Sequence, residues 1–251
     1  CPSENSNFYL HENGVTCMCP NATIGEKGIV NGVIYTKRTR EQITEVNAST
    51  TCTSGITDMS NMFKDKTTFN GDISSWDTSS VTNMSGMFYN ASAFNQPIGN
   101  WDLSNVTNIS TMFYKAVTFN QPIGNWNTSN VMYMVKTFLG AAKFNQPIGD
   151  WNTGKADNMT GMFQDAIAFS QSLRKWDTSN VTHMENMFYN IANNTVGNLS
   201  VWCVEKIKTE PLNFGLTKSY QPVWGFCPSE NSNFYLHENG VTCMCPNATI
   251  G

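Results

Sequence analysis

Large apolar residues recur at a fixed step of 25 positions through the middle of the chain. A fixed step of this kind predicts a solenoid, in which each turn buries its apolar side chains against the next turn. We therefore interpret the Met, Phe and Trp columns as a core and not as a cofactor site. The columns are Trp76, Trp101, Trp126, Trp151 and Trp176; Phe63, Phe88, Phe113, Phe138, Phe163 and Phe188; Phe69, Phe94, Phe119, Phe144 and Phe169; and Ile73, Ile98, Ile123, Ile148 and Leu173.

Within one turn the pattern predicts a short helix followed by a turn and a short strand. Thr82 is placed to cap the helix, and four apolar residues follow it at helical spacing. Residues 98–103 favour a short strand, and Thr182 with Glu185 forms a capping box in the last turn. The predicted fold class is an α/β repeat: a leucine-rich-repeat-like solenoid of 25-residue strand–turn–short-helix turns. The four helical apolar residues are Met84, Met87, Phe88 and Ala91.

Two details of the pattern carry further predictions. An asparagine recurs after the second Phe column and is expected to form a ladder that satisfies backbone groups in the turn. The fourth turn departs from the pattern, since Thr137 replaces a Met and residues 154–156 replace Ser-Asn-Val. We expect that turn to be locally irregular, with contact to a partner as the alternative. The ladder residues are Asn70, Asn95, Asn120 and Asn145.

A longer repetition surrounds the short one. Residues 1–25 recur without a change as residues 227–251, which gives a second period of 226 residues. Two identical segments of this length cannot arise by chance. The sequence therefore predicts a unit of a tandem array, with an artificial duplication of one end as the alternative.

The two periods divide the chain into five predicted segments. A short hairpin is expected at Asn31-Gly32, the strongest short-range hairpin signal, and a short helix is expected from Thr39 to about Val46. Both would close the open apolar edge of the first turn. The segments are an inter-unit connector at 1–25, an N-terminal cap at 26–57, the solenoid at 58–201, a C-terminal cap at 202–226, and at 227–251 the connector of the next unit.

Composition narrows the classes of partner. Charged residues make up only 14% of the chain, and the formal net charge is −4. A nucleic-acid partner is not expected, because no basic stripe is available to neutralise phosphates. The single basic cluster, residues 37–40, is interpreted as a solvated face. No apolar run reaches the length of about 18 residues that a membrane span requires.

The repeat module resembles a known family. Residues 81–105 read Val-Thr-x-Met-x-x-Met-Phe-x-x-Ala-x-x-Phe-Asn-Gln-Pro-Ile-x-x-Trp-Asp-x-Ser-Asn, a pattern similar to the BspA-like leucine-rich-repeat surface proteins. Residues 52–59 resemble the start of that family's first repeat, and residues 202–204 and 222–228 resemble its closing cap. The resemblance implies an extracellular or cell-surface location and a role in adhesion or matrix-like assembly. It implies no catalysis.

Each 226-residue unit contains five cysteines. By position, Cys203 pairs with Cys227, and Cys52 pairs with Cys17 or Cys19; we favour Cys19. One thiol, Cys17, is then left for an inter-unit bridge or as a free thiol. A zinc site is not expected, because no second Cys or His pair lies at the required spacing.

Asn-x-Ser/Thr sequons are dense, and each is a candidate acceptor of an N-linked glycan. Asn105 and Asn180 lie in the repeat's own turn, so their sequons are also explained as by-products of repeat chemistry. Asn21, Asn47 and Asn90, together with Asn193, lie at less constrained positions. We expect no cofactor, and no calcium, because no loop has the Asp-x-Asp spacing of a dedicated site. The remaining candidates are Asn83, Asn108, Asn127, Asn158, Asn198 and Asn247, the last being the copy of Asn21.

Catalytic patterns are absent from the sequence. The unit has two distinct histidines, His11 and His183, and neither lies in a protease, triad or dinucleotide-binding motif. Aspartates recur only because the repeat recurs, so a carbohydrate-active enzyme is not expected. The sequence instead favours a structural subunit of an extracellular fibre or cell-surface filament, with other copies of itself as partners. The alternative is a cell-surface adhesin that binds host or matrix protein or glycan through an exposed solenoid face.

Overall fold

The computed structural model describes residues 6–192 and 196–228, together with two strand residues each at 235–236 and 243–244. Its regular elements are short and lie outside the 25-residue repeats. A two-stranded sheet joins β1 to β2, and a three-stranded sheet has the order β3-β4-β5. The pair β6–β7 has the register of β1–β2, 226 residues later. The strands are β1 Tyr9–Leu10, β2 Cys17–Met18, β3 Lys27–Val30, β4 Val33–Lys37, β5 Thr51–Cys52, β6 Tyr235–Leu236 and β7 Cys243–Met244.

The 25-residue repeats stack directly on one another through parallel backbone contacts. In repeat 2, the N–H groups of Met84, Gly86 and Phe88 donate to carbonyl oxygens of repeat 3 at 2.8–2.9 Å. Equivalent bonds join the other repeats. We number the repeats from the residues of the single parallel bridges that link them: Asp58, Asn83, Asn108, Tyr133, Asn158 and His183.

The predicted fold class, an α/β leucine-rich-repeat-like solenoid of strand–turn–short-helix turns, is wrong. The described part of the chain contains no α-helix, and its only helical elements are three 3₁₀ turns, Arg40–Gln42, Ala48–Thr50 and Lys218–Tyr220. Residues 98–103 contain a turn at 99–100 and no strand. Thr82 donates its N–H and its hydroxyl to the carbonyl of Thr57 in the previous repeat and caps no helix. Glu185 accepts a bond from Thr160 instead of completing a capping box.

The reason lies in two left-handed residues in each repeat. Gly86 and Asn90 have φ values of 63° and 56°, which an α-helix cannot contain. Alternate N–H groups then point to the next repeat, while Met87, Tyr89 and Ala91 donate within their own repeat to residues three positions earlier. Every N–H from residue 86 to residue 91 thus finds an acceptor without a helix. The same left-handed pair recurs at Asn61 and Asp65, Thr111 and Lys115, Lys136 and Gly140, Gly161 and Asp165, and Asn186 and Asn190.

The apolar columns form one continuous core, as predicted. Rings of the first Phe column lie 5.5–5.8 Å apart between successive repeats and are nearly parallel. Neighbouring Trp rings lie 6.1–6.4 Å apart. Burial of each such ring contributes about 1.5–3 kcal/mol, so the columns supply the main driving force for stacking. The four residues at helical spacing in repeat 2 are all buried, although no helix forms.

The residues before the first repeat form a hairpin and two 3₁₀ turns. Strands β3 and β4 pair across Asn31-Gly32, where both residues have positive φ as a type I′ turn requires. The helix predicted from Thr39 to about Val46 is wrong, because only Arg40–Gln42 is helical, as a 3₁₀ turn. The first 3₁₀ turn begins with a capping box, in which Thr39 N–H donates to Gln42 Oε1, and before the second turn Thr44 N–H donates to Asn47 Oδ1.

The basic cluster at 37–40 is not the solvated face that the sequence indicated. Lys37 is buried, and its Nζ donates to the carbonyls of Cys19 and Ser54. Arg40 donates to the carbonyl of Ser60, a position that receives a backbone N–H from the preceding repeat everywhere else in the stack. The cluster therefore supplies donors that the first repeat lacks.

The C-terminal end continues the hydrogen-bond ladder for part of one more repeat. Asn186 and Phe188 donate to the carbonyls of Leu212 and Phe214 at 2.9 Å. Farther along, Val204 N–H donates to Phe226 O at 2.9 Å. Residues 210–226 thus cover the last full repeat with an incomplete one.

The close approach of repeats predicts a position where only glycine fits. A Cβ added to Gly124 would lie 2.4 Å from the carbonyl oxygen of Pro147 in the next repeat. Because that oxygen belongs to stacked backbone, we expect Gly124→Ala to lower the free energy of unfolding by about 1–3 kcal/mol. Gly154→Ala is the control, since its nearest neighbours are the tips of flexible side chains, and it should change stability by less than about 0.5 kcal/mol. Chemical denaturation measures both, and equal effects would contradict the stacking geometry.

Candidate functional site

The N-terminal segment leaves a small polar cavity against the first two repeats. It has a volume of about 120 Å³ and is lined by His11, Thr16, Asp77 and Asn100 among others. Asp77 Oδ1 already accepts bonds from the N–H and hydroxyl of Ser79, and Asn100 donates to the carbonyl of Ser74. Within residues 6–192 and 196–228, no three His, Cys, Asp or Glu side chains come together as metal ligands. Asp77 and Asn100 in the wall of the cavity therefore already have structural roles.

The repeated side chains instead form ladders that run along the stack. The predicted asparagine ladder is confirmed: Asn95, Asn120 and Asn145 each donate N–H to the Oδ1 of the asparagine one repeat earlier, at 2.9 Å. Ser170 continues the ladder by donating N–H and hydroxyl to Asn145. Each amide thereby satisfies a backbone N–H that has no partner in its own repeat.

A second ladder uses the buried indoles. Trp126 Nε1 donates to Ile98 O at 3.0 Å, and Trp151 Nε1 donates to Ile123 O at the same distance. Trp76 makes the matching bond to Ala48 O, so residue 48 takes the place of an isoleucine in a repeat before the first one. A Trp column therefore both fills the core and fixes the register between repeats.

The fourth repeat is regular, so the predicted local irregularity is wrong. Thr137 is buried, and its hydroxyl donates to Met134 O at 2.9 Å within its own repeat. Lys155 Nζ donates to Asn130 Oδ1, one repeat earlier, at 2.5 Å. Asn130 and Asn180, at the equivalent positions of the neighbouring repeats, also donate to the repeat before them, in their case to carbonyl oxygens. The turn and bridge pattern matches that of its neighbours.

What distinguishes this region is an exposed apolar pair at the junction of repeats 3 and 4. Met132 and Tyr133 are exposed, whereas the two preceding repeats hold a Thr and an Asn at the same two positions, for example Thr107 and Asn108. The repeat pattern itself carried the signal, since the pair departs from both columns. Sequence reasoning did not single it out.

Two disulfides hold the ends of the described chain. Cys19 bonds to Cys52 with an S–S length of 2.08 Å, and Cys203 bonds to Cys227 with a length of 2.09 Å. The first ties the N-terminal segment to the cap at β5. The second ties the C-terminal cap to the first residue of the duplicated segment.

Cys17 is a free thiol buried in the small N-terminal core. This core also contains Phe8, Val30 and the Cys19–Cys52 pair. Burial, with a smaller contribution from the charge of Asp77, raises the pKa of Cys17 from 9.0 to about 12. An inter-unit bridge through this thiol would require the core to open, so the structure favours the free-thiol alternative.

The sequons differ in whether the glycan-bearing Nδ2 atom is already engaged. Asn47 donates Nδ2 to Gln42 O, and Asn90 donates it to Asp65 Oδ1. Asn105 and Asn180 each donate it to a carbonyl of the previous repeat at 2.7 Å, a bond that a glycan would break. Asn193 and Asn247 lie outside the described residues. In Asn83, Asn108, Asn127, Asn158 and Asn198 the side-chain oxygen accepts the N–H two residues on.

The geometry defines a class: a disulfide-containing protein whose 25-residue repeats stack through backbone, amide and indole ladders. Two overlapping stretches, residues 35–141 and 119–223, match the family described as "Mycoplasma protein of unknown function, DUF285". They cover well over half of the 251 residues, and the chain belongs to this family. A search of curated proteins and a search of solved structures gave no match.

Among the described residues, no helix has the length and apolar character needed to cross a lipid bilayer.

The buried thiol gives a prediction about reactivity. With a pKa of about 12, only about one Cys17 in ten thousand is a thiolate at pH 8, and the thiolate is the form that reacts. We expect iodoacetamide labelling of Cys17, followed by peptide mass mapping, to be at least about a hundredfold slower in the native protein than in guanidinium chloride. Equal rates in the two conditions would show that the thiol is exposed.

Proposed function

We propose that this chain is a structural subunit of an extracellular fibre or cell-surface filament built from tandem 226-residue units. The observation that carries the proposal is the unchanged recurrence of residues 1–25 at 227–251. The β6–β7 pair supports it, because the second copy adopts the strand pairing of the first. A tandem array gives a non-closing, head-to-tail arrangement without a separate binding step.

The described part of the N-terminal segment supports its role as the start of a unit. Cys17 N–H donates to Ser75 O of repeat 1 at 2.8 Å, and the Cys19–Cys52 disulfide holds the next residues to β5. The segment is therefore attached to the unit that follows it. In an array, the bond from Cys203 to Cys227 would attach the same segment to the unit that precedes it.

The location belongs to the same proposal. The module's resemblance to BspA-like surface proteins and the two disulfides both support an extracellular or cell-surface site, since disulfides persist in oxidising compartments. The partners would be further copies of the unit, and N-linked glycans are candidate additions. We propose no catalytic role; among the described residues, the imidazole of the exposed His183, for example, forms one hydrogen bond, between Nδ1 and the hydroxyl of its neighbour Thr182.

The array is tested by the intact mass of the native material, with and without reductant. We expect masses that rise in steps of one 226-residue unit and that persist after reduction, because the units are joined by peptide bonds. Negative-stain images should show filaments with one axial repeat per unit. A native mass of a single unit, with isolated globules in the images, would contradict the proposal.

A second candidate function is an adhesin, favoured by the exposed Met132–Tyr133 pair. Isolated exposed apolar residues are common, but this pair interrupts two otherwise polar columns. We expect the double change Met132→Thr with Tyr133→Asn, which restores the pattern of repeats 2 and 3, to abolish binding on glycan or matrix-protein arrays. Ile167→Thr, at an exposed position in repeat 5, is the matched control. Binding that both variants retain would exclude the pair as the adhesive surface.

A further inference from the structure

Within the described part of the chain, the two ends of the repeat stack carry unpaired backbone groups of opposite kind. In each repeat, a carbonyl accepts from the repeat before, and the next residue donates its N–H to the repeat after, as Ser85 and Gly86 do. The same alternation reaches the last partial repeat. Leu212 and Phe214 accept from Asn186 and Phe188, so Asn213 and Gly215 are the next donors.

These donors have no acceptor within the described chain. The N–H groups of Asn213 and Gly215 form no hydrogen bond with any described residue, and both residues are exposed. Asn213 has a φ of 51°, the left-handed conformation that directs the N–H to the next repeat elsewhere in the stack. Pro211, which has no N–H, takes the place of the preceding donor, so no donor stands at that position of the edge.

The opposite end presents acceptors. Among the described residues, no donor reaches the carbonyl oxygens of Asp58, Met62 and Lys64, whose equivalents in repeat 2 all accept from repeat 1. Of the carbonyls in this row, Ser60 alone accepts a bond from a described residue, namely from Arg40. The stack is therefore polar along its axis, with donors at one end and acceptors at the other.

Exposed apolar side chains are concentrated in the same terminal regions. Of the fifteen exposed large apolar residues in the described chain, ten lie in residues 6–57 and 196–228, which are together shorter than the repeats between them. Val46 is 93% exposed, and its neighbour Glu45 forms an ion pair with Lys66, two residues after the acceptor Lys64. Leu212 is 69% exposed and lies within the donor edge.

We propose that the donor edge of one unit docks on the acceptor row of a second copy, the next unit in the array. The inference rests on the proposed tandem array, which makes the next unit identical and places its first residue, Cys227, in a disulfide with Cys203 of the C-terminal cap. Contact between two donor edges would bring N–H groups against N–H groups, and contact between two acceptor rows would bring carbonyls against carbonyls. Hydrogen bonds therefore form only when the donor edge of one unit meets the acceptor row of another, which is a head-to-tail contact. The interface is thus heterologous and open-ended.

The contact is tested on the 251-residue chain by sedimentation equilibrium over a range of concentrations into the millimolar. We expect a weight-average mass that keeps rising without a plateau. Leu212→Lys and Val46→Lys should each weaken association about tenfold or more, because each places an unpaired charge in the contact. Ile167→Lys, at an exposed position of repeat 5, should leave association unchanged, and thermal melts should show all three variants folded.

Mixing the two end variants decides the orientation of the contact. The Leu212→Lys protein keeps an intact acceptor row, and the Val46→Lys protein keeps an intact donor edge. We expect the equimolar mixture to form a one-to-one dimer that grows no further, while each variant alone associates about tenfold or more weakly than the unchanged chain. A closed dimer of the unchanged chain, association that survives both changes, or a monomer at every concentration would overturn the proposal.

These outcomes are separate from the test of the tandem array. Native material whose mass rises in unit steps, together with a monomeric 251-residue chain, would leave the array standing and remove the docking contact. Native material of single-unit mass, together with open-ended association of the 251-residue chain, would remove the tandem array and leave the docking contact standing.

Discussion

The backbone hydrogen bond between successive repeats is the constraint on which the rest of this structure depends. Alternate N–H groups point along the stack, and this alternation requires a left-handed residue at two positions in every repeat. Gly, Asn and Asp fill most of these positions at little cost. Thr111, Lys115 and Lys136 are exceptions, and each accepts a strain of about 1 kcal/mol that the stacking must offset.

Once the repeats are in contact, the side chains fix their register in three separate ways. The Asn ladder satisfies backbone N–H groups at one edge, and the indole N–H groups reach carbonyls inside the core. Thr128 and Thr153 donate hydroxyl groups forward to carbonyls of the next repeat. A slip by one residue would break all three sets together. The stack therefore has a single favourable register, even though its backbone contains little regular secondary structure.

The ends of the stack show how the same bonds are closed when no neighbour exists. The Arg40 side chain donates to Ser60 O, which has no backbone donor from a preceding repeat. Ala48 O accepts the indole N–H of Trp76, as an isoleucine carbonyl does in the later repeats. At the other end Pro211 removes a donor altogether. Within the described residues, some backbone donors of the C-terminal cap and some backbone acceptors of the first repeat remain unpaired. Both ends of the stack are adjacent in sequence to a segment that recurs in the next unit. The proposed contact between units follows from these incompletely closed ends, whereas the proposed role as a fibre subunit rests on the recurrence of residues 1–25 at 227–251.

The sequence by itself determined the repeat length, the membership of the core, the asparagine ladder and the position of the N-terminal hairpin. Each depends on spacing or on local turn chemistry, such as Asn31-Gly32, and spacing is visible in one dimension. The backbone conformation was decided only by the tertiary structure. Apolar residues at 84, 87, 88 and 91 face the core in a helix and also in the observed alternating chain, so periodicity could not distinguish the two. Glycine and asparagine at positions 86 and 90 were the available signal.

The structural roles of Lys37 and Arg40, and the exposure of Met132 and Tyr133, likewise depended on neighbours distant in sequence. Lys37 is buried because carbonyls of Cys19 and Ser54 surround its Nζ, and nothing in residues 37–40 alone indicates those partners. The recurrence of residues 1–25 at 227–251 was fully visible in the sequence. What only the fold could show is that its two copies flank a stack with donors at one end and acceptors at the other, because hydrogen-bond direction is a property of the assembled backbone.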